Sequence, residues 1–144
     1  MPKVSVMMAV YNMEKNVHIL KKAVASILNQ TCFLDSHPQY ALVGCNASMI
    51  DSCGVWGERI LEEKPDKKDF LSTLPFVHPS IMIRKEVAYK LHGYTQTMTA
   101  RRAEDYEFLM RLYAAGYRGC NMQEPLIFYR EDIQSYRKRT YRCR

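Results

Sequence analysis

The sequence predicts an α/β domain, on three observations. A valine-rich run, Val4–Tyr11, is short, continuous and apolar and stops at Asn12, the pattern of a strand buried on both faces. A helix follows over 14–29, where Val17, Leu20, Val24, Ile27 and Leu28 repeat at helical spacing with Lys15 and Lys22 elsewhere on the circumference. Strand then helix opens a βα unit, and a second amphipathic helix lies late in the chain.

The middle of the chain reads as a series of short elements. FLDSHPQY looks like a helix end running into a turn, YALVGCNASMI like a strand, and DSCG like a turn closed by glycine. GERIL suggests a further short strand. EEKPDKKDFLSTL suggests a short helix with Asp66 as its cap after Pro65. SIMIR reads as a strand leading into a short helix that stops near Gly93. From Ala103 to Ala115 Tyr106, Leu109, Met110 and Tyr113 share one helix face, and Gly116 sits where a glycine cap belongs. NMQEPLIFYRE is extended, with Pro125 placing it at an edge or bend.

At 144 residues, 47% of them hydrophobic and 25% charged, the chain suits one soluble globular domain with a real core. No apolar run approaches a membrane span, and VSVMMAV ends without a cleavage pattern, so a cytoplasmic location is expected, peripheral to the membrane at most. The five cysteines are an odd set without metal or redox spacing and read as reduced thiols. The four histidines form no metal-ligand pattern. The last sixteen residues hold six basic and two acidic side chains, +4 of the net charge of +6. Such a tail could touch anionic lipid weakly, though a solvated terminus accounts for it more simply. Nucleic acid is not expected as a partner.

Three places carry candidate chemistry. The first is the strand exit at Tyr11 and Asn12, since ligands of open α/β sheets bind at strand carboxyl ends. An aromatic ring can stack there on a planar base and an asparagine can bond its edge, although an ordinary turn Asn is the simpler reading of the residues alone. The second is the pair Glu104 and Asp105 at a helix start, where a carboxylate can act as general base. Acidic first turns are also common for electrostatic reasons only. The third is His78, held beside Pro79 before a strand, as an acid–base group or an ordinary loop residue. There is no glycine-rich phosphate loop, zinc-protease pattern or serine elbow.

The phrases themselves carry more. VSVMMAVYN, with a helix ending ASILNQT, resembles the opening of the family 2 glycosyltransferases of the GT-A fold. FLDSHPQYALVGCNASMID, PFVHPSIMIRKEV, GY, RRAEDYEFLMRLYAAGY and EPLIFYRE resemble, in that order, the second half of the same catalytic domain. The resemblance implies a partial GT-A, Rossmann-like fold, with 1–31 as the first βα unit of the donor half, 33–130 as the acceptor half and 131–144 as a basic tail. It implies inverting transfer of a sugar from a nucleotide-diphosphate donor, commonly a uridine diphosphate sugar, to a glycan or lipid-linked acceptor in polysaccharide or glycoconjugate synthesis. It places Tyr11 and Asn12 at the nucleotide, Asp105 as catalytic base with Glu104 beside it, and Arg102 and His78 on the acceptor side.

Two departures stand out. Ala9 replaces a common proline. More seriously, only Cys32 separates Thr31 from Phe33, where the family carries several dozen residues with a DDGS motif and the DxD motif that binds Mn or Mg. Neither motif occurs anywhere in the chain. The family chain also runs well past YRED. The resemblance therefore implies impaired donor binding, an exposed apolar helix face and self-association. The rival expectation is a non-catalytic remnant that binds glycan or a protein partner.

Overall fold

The computed structural model describes residues 17–95 and 103–132. The expected strand Val4–Val10, the nucleotide residues Tyr11 and Asn12, the acceptor-side Arg102 and the tail beyond Asp132 lie outside the described residues. Among those described, the order is α1 (Val17–Ser36), β1 (Leu42–Ile50), β2 (Val55–Arg59), a 3-10 helix Lys67–Leu71, a 3-10 turn His78–Ser80, β3 (Met82–Ile83), α2 (Lys85–Lys90), α3 (Glu104–Ala114) and β4 (Gly119–Arg130). This is a mixed α/β architecture, with parallel and antiparallel pairs in one sheet.

β1 is the axis of the sheet. Its residues Leu42–Ala47 are all buried, as a strand covered on both faces requires. One edge pairs in parallel with β4, from Leu42 against Gly119 to Ile50 against Arg130. The other edge is shared by two antiparallel partners, β3 at Leu42–Val43 and β2 at Ala47–Ile50. The register of β4 slips on either side of the pair Asn46–Pro125. Proline lacks an amide to donate, so an irregular stretch beside the ladder suits it. The Asn46 side chain spans the break, donating to the Gln123 carbonyl at 2.8 Å and accepting from the Leu61 amide at 2.9 Å.

Several local readings hold and four need correction, one of them the face of α3, where Phe108 and Leu112 are buried and Met110 is 46% exposed. DSCG turns as expected, with the Asp51 carboxylate accepting from the Cys53 amide and Gly54 at φ +121°. Asp66 and Asp69 form a reciprocal capping box on the 3-10 helix. The strand read as GERIL begins earlier, at Val55, directly after the turn. SIMIR contributes only Met82 and Ile83 to the sheet, because Ser80 closes the 3-10 turn and Arg84 leaves to start α2.

The helix expected over 14–29 runs instead to Ser36. It passes unbroken through Thr31, Cys32 and Phe33, with the Thr31 hydroxyl bonding back to the Ile27 carbonyl. Tertiary anchors explain the extension. The Gln30 amide donates to the Ser80 carbonyl at 2.6 Å, Leu34 is buried, and Arg84 donates to the carbonyls of Leu34, His37 and Tyr40, which ties the helix end and the turn after it to the start of α2. The stripe of α1 that docks is Ser26, Gln30 and Leu34. The apolar face read from the sequence lies roughly 100° round the helix. Val17, Val24 and Leu28 on that face are 46%, 45% and 58% exposed.

The core gathers where α3 meets β1. Phe108, Leu109, Leu112 and Tyr113 of α3 are buried against Leu42, Phe70, Phe76 and Val87. Gly116 ends α3 at φ +91°, a left-handed conformation that glycine enters without a Cβ clash. The Tyr113 hydroxyl then accepts from the Gly119 amide at 3.1 Å and ties the helix end to the start of β4. Burial pushes the Tyr113 phenol up to about 12. No helix among the described residues is long and apolar enough to cross a membrane.

Candidate functional site

Three segments far apart in sequence meet beside the start of α3. His78 opens the 3-10 turn, where Pro79 restricts the backbone. Its Nε2 lies 2.9 Å from the hydroxyl of Tyr94, and the two rings meet edge to face at 6.1 Å. Tyr94 packs in turn on Phe108 of α3, ring centres 5.0 Å apart. The Asp105 carboxylate, one helical turn before Phe108, acts electrostatically on the same phenol. The Tyr94 hydroxyl is pushed up by burial first and by the Asp105 carboxylate second.

Asp105 sits in the first turn of α3 with Glu104 and Glu107. The unpaired amides of that turn make it a favourable place for carboxylates. One Asp105 oxygen accepts from the Tyr106 amide at 2.8 Å, which orients the side chain. Glu104 is half-buried beside it.

Glu107 has a different task. It pairs with Arg111 at 2.8 Å and accepts from the Thr95 hydroxyl at 2.8 Å. Arg111 also donates to the carbonyls of Leu91 and Gly93. These bonds fasten the segment Leu91–Thr95 to α3 and set Tyr94 opposite His78. The hydrogen bonds from Arg111 hold the Glu107 carboxyl below its usual range.

Of the residues expected to act, His78 meets Tyr94, which packs on Phe108 of α3, and Glu104 and Asp105 stand in the first turn of that same helix. Tyr94 had no role in the sequence reading beyond its place in the Gly93-Tyr94 pair. The Glu107–Arg111 clamp was legible only as an i, i+4 charge pair on a helix. Among the described residues no group of three or more His, Cys, Asp or Glu side chains could hold a metal ion.

No family model matches the chain. It is similar to the "Putative glycosyltransferase EpsE" of Bacillus subtilis (strain 168), at 36% identity over 112 residues. That similarity takes in 78% of this chain and 40% of the relative, so the chain spans less than half of the relative's length.

Proposed function

We propose that the chain carries the acceptor side of a family 2, nucleotide-sugar-dependent glycosyltransferase, with Asp105 as the base. The observation that carries this reading is the convergence of three resembling phrases. PFVHPSIMI supplies His78 and GY supplies Tyr94, which meet at 2.9 Å, and Tyr94 packs on Phe108 of the helix whose first turn carries the Asp105 of RRAEDYEF. The similarity to a protein named for glycosyl transfer supports the same class.

In this reading Asp105 takes the proton of an acceptor hydroxyl as its oxygen attacks the anomeric carbon. The bond from that carbon to the nucleoside diphosphate breaks, and the single displacement inverts the centre. His78 and Tyr94 offer hydrogen bonds that orient the acceptor oxygen. A positioned base supplies about 10²–10⁴-fold. Charge developing on the leaving diphosphate normally needs a metal or other preorganised positive charge, and this electrostatic term is usually the largest. The DDGS and DxD motifs are absent from the sequence, and α1 passes without a break where the resemblance would place them. Donor binding and turnover by this chain alone are accordingly weak.

The test uses the chain and a version with a DDGS–DxD segment inserted between Thr31 and Phe33. The inserted version transfers sugar from a uridine diphosphate donor, whereas the original chain binds uridine diphosphate with manganese only weakly by calorimetry. In the inserted version Asp105→Asn lowers turnover by about 10²–10⁴-fold with donor affinity nearly unchanged. Full turnover in Asp105→Asn overturns the assignment of the base.

A further inference from the structure

The parallel pair β1–β4 ends on a second concavity, away from the His78–Tyr94 contact. Ligands of open α/β sheets settle at the carboxyl ends of parallel strands. Met49 near the end of β1 and Glu131 just past β4 border a cleft of about 520 Å³, with Trp56, Glu58, Arg59 and Thr73 also on its walls. Small-molecule sites typically hold ~300–1,000 Å³.

Trp56 is the sole tryptophan of the chain. Its indole Nε1 donates to the Glu131 carbonyl at 2.8 Å, and the Glu131 amide donates to the Ile50 carbonyl at 2.9 Å. The ring is therefore fastened to the end of the parallel pair before any ligand arrives, which lowers the ordering cost of binding. The walls combine one aromatic ring, the thioether of Met49, a hydroxyl, two carboxylates and one guanidinium. Two carboxylates against one guanidinium repel a second diphosphate. A neutral sugar suits the same set, with an apolar C–H face for the ring and hydroxyls for the charged groups.

We infer that this cleft seats a neutral sugar unit of a glycan, stacked on Trp56 with its hydroxyls bonded to Glu58, Arg59 and Thr73. Its identification as part of the acceptor rests on the glycosyltransferase reading above. Being the only indole, Trp56 reports its own occupancy. The intact chain is titrated with cellotetraose, chitotetraose and maltotetraose while tryptophan fluorescence is followed, with uridine diphosphate as the anionic control.

At least one neutral tetrasaccharide gives a saturable change, and uridine diphosphate gives none. By calorimetry Trp56→Leu binds that sugar about tenfold more weakly, the loss of one aromatic stacking contact, and Trp56→Phe recovers most of the affinity. If Trp56→Leu no longer melts cooperatively, Glu58→Gln carries the test by weakening binding in a chain with an unchanged melt. Silence across the panel, a response to uridine diphosphate alone, or unchanged affinity in the folded variant overturns the inference. Sugar binding without transfer by the chain carrying the inserted donor segment sinks the transferase reading and leaves the cleft. Transfer whose acceptor KM ignores Trp56→Leu does the reverse.

Discussion

α3 and α1 are both amphipathic by spacing, yet they end in different states. α3 buries Phe108, Leu109, Leu112 and Tyr113 in one continuous core. α1 docks through Ser26, Gln30 and Leu34 and leaves Val17, Val24 and Leu28 exposed. The period of apolar residues shows which side of a helix is able to be buried. Whether it is buried depends on a partner surface, which the helix's own sequence does not contain.

The largest expected effect breaks the comparison at its strong end. Leu112 is wholly buried, so Leu112→Ala opens a cavity and costs about 2–5 kcal/mol by denaturant melting. Leu28→Ala on the exposed face of α1 costs no more than about 0.5 kcal/mol. Equal losses at the two sites would mean that the α1 face is packed after all.

Next in size is the polar dock of α1. Gln30→Ala strips the buried Ser80 carbonyl of its side-chain donor and costs about 1–3 kcal/mol. A cost as small as that of Leu28→Ala would show that α1 is held by Leu34 and Arg84 alone.

The Glu107–Arg111 clamp is partly open to solvent, so Glu107→Gln costs only about 0.2–1 kcal/mol at neutral pH. The folded-state carboxyl titrates below its ordinary value of 4.5. Its contribution is therefore complete above that value and disappears as pH falls through the lower folded value. Melting curves of the two proteins should converge on acidification below about pH 4.5. Convergence on raising the pH instead would contradict the sign of the shift.

The smallest effect on stability has the clearest effect on assembly. Exposed Val24 and Leu28 offer an apolar stripe to a second surface. We expect the wild-type chain to self-associate in sedimentation runs, and the double change Val24→Glu, Leu28→Glu to shift it to monomer with little change in melting. A wild-type monomer with a sharp melt would remove the association expected of this face.

The sequence by itself determined what is settled within a few residues. The Asp66 cap, the DSCG turn, the glycine stop of α3 and the existence of strand β1 were legible because each depends on local geometry or on a pattern the segment carries. The carboxylate pair at the start of α3 was legible for the same reason. The tertiary structure decided the rest. The parallel alignment of Leu42 with Gly119, the face on which α1 docks and its extension to Ser36 depend on surfaces supplied by remote residues. The placing of Tyr94 between His78 and Phe108 is likewise non-local, since it needs the Glu107–Arg111 clamp to hold Leu91–Thr95 against α3. A local pattern records which conformations a segment favours. Only the assembled chain brings together the side chains whose contacts offset the entropy of ordering them.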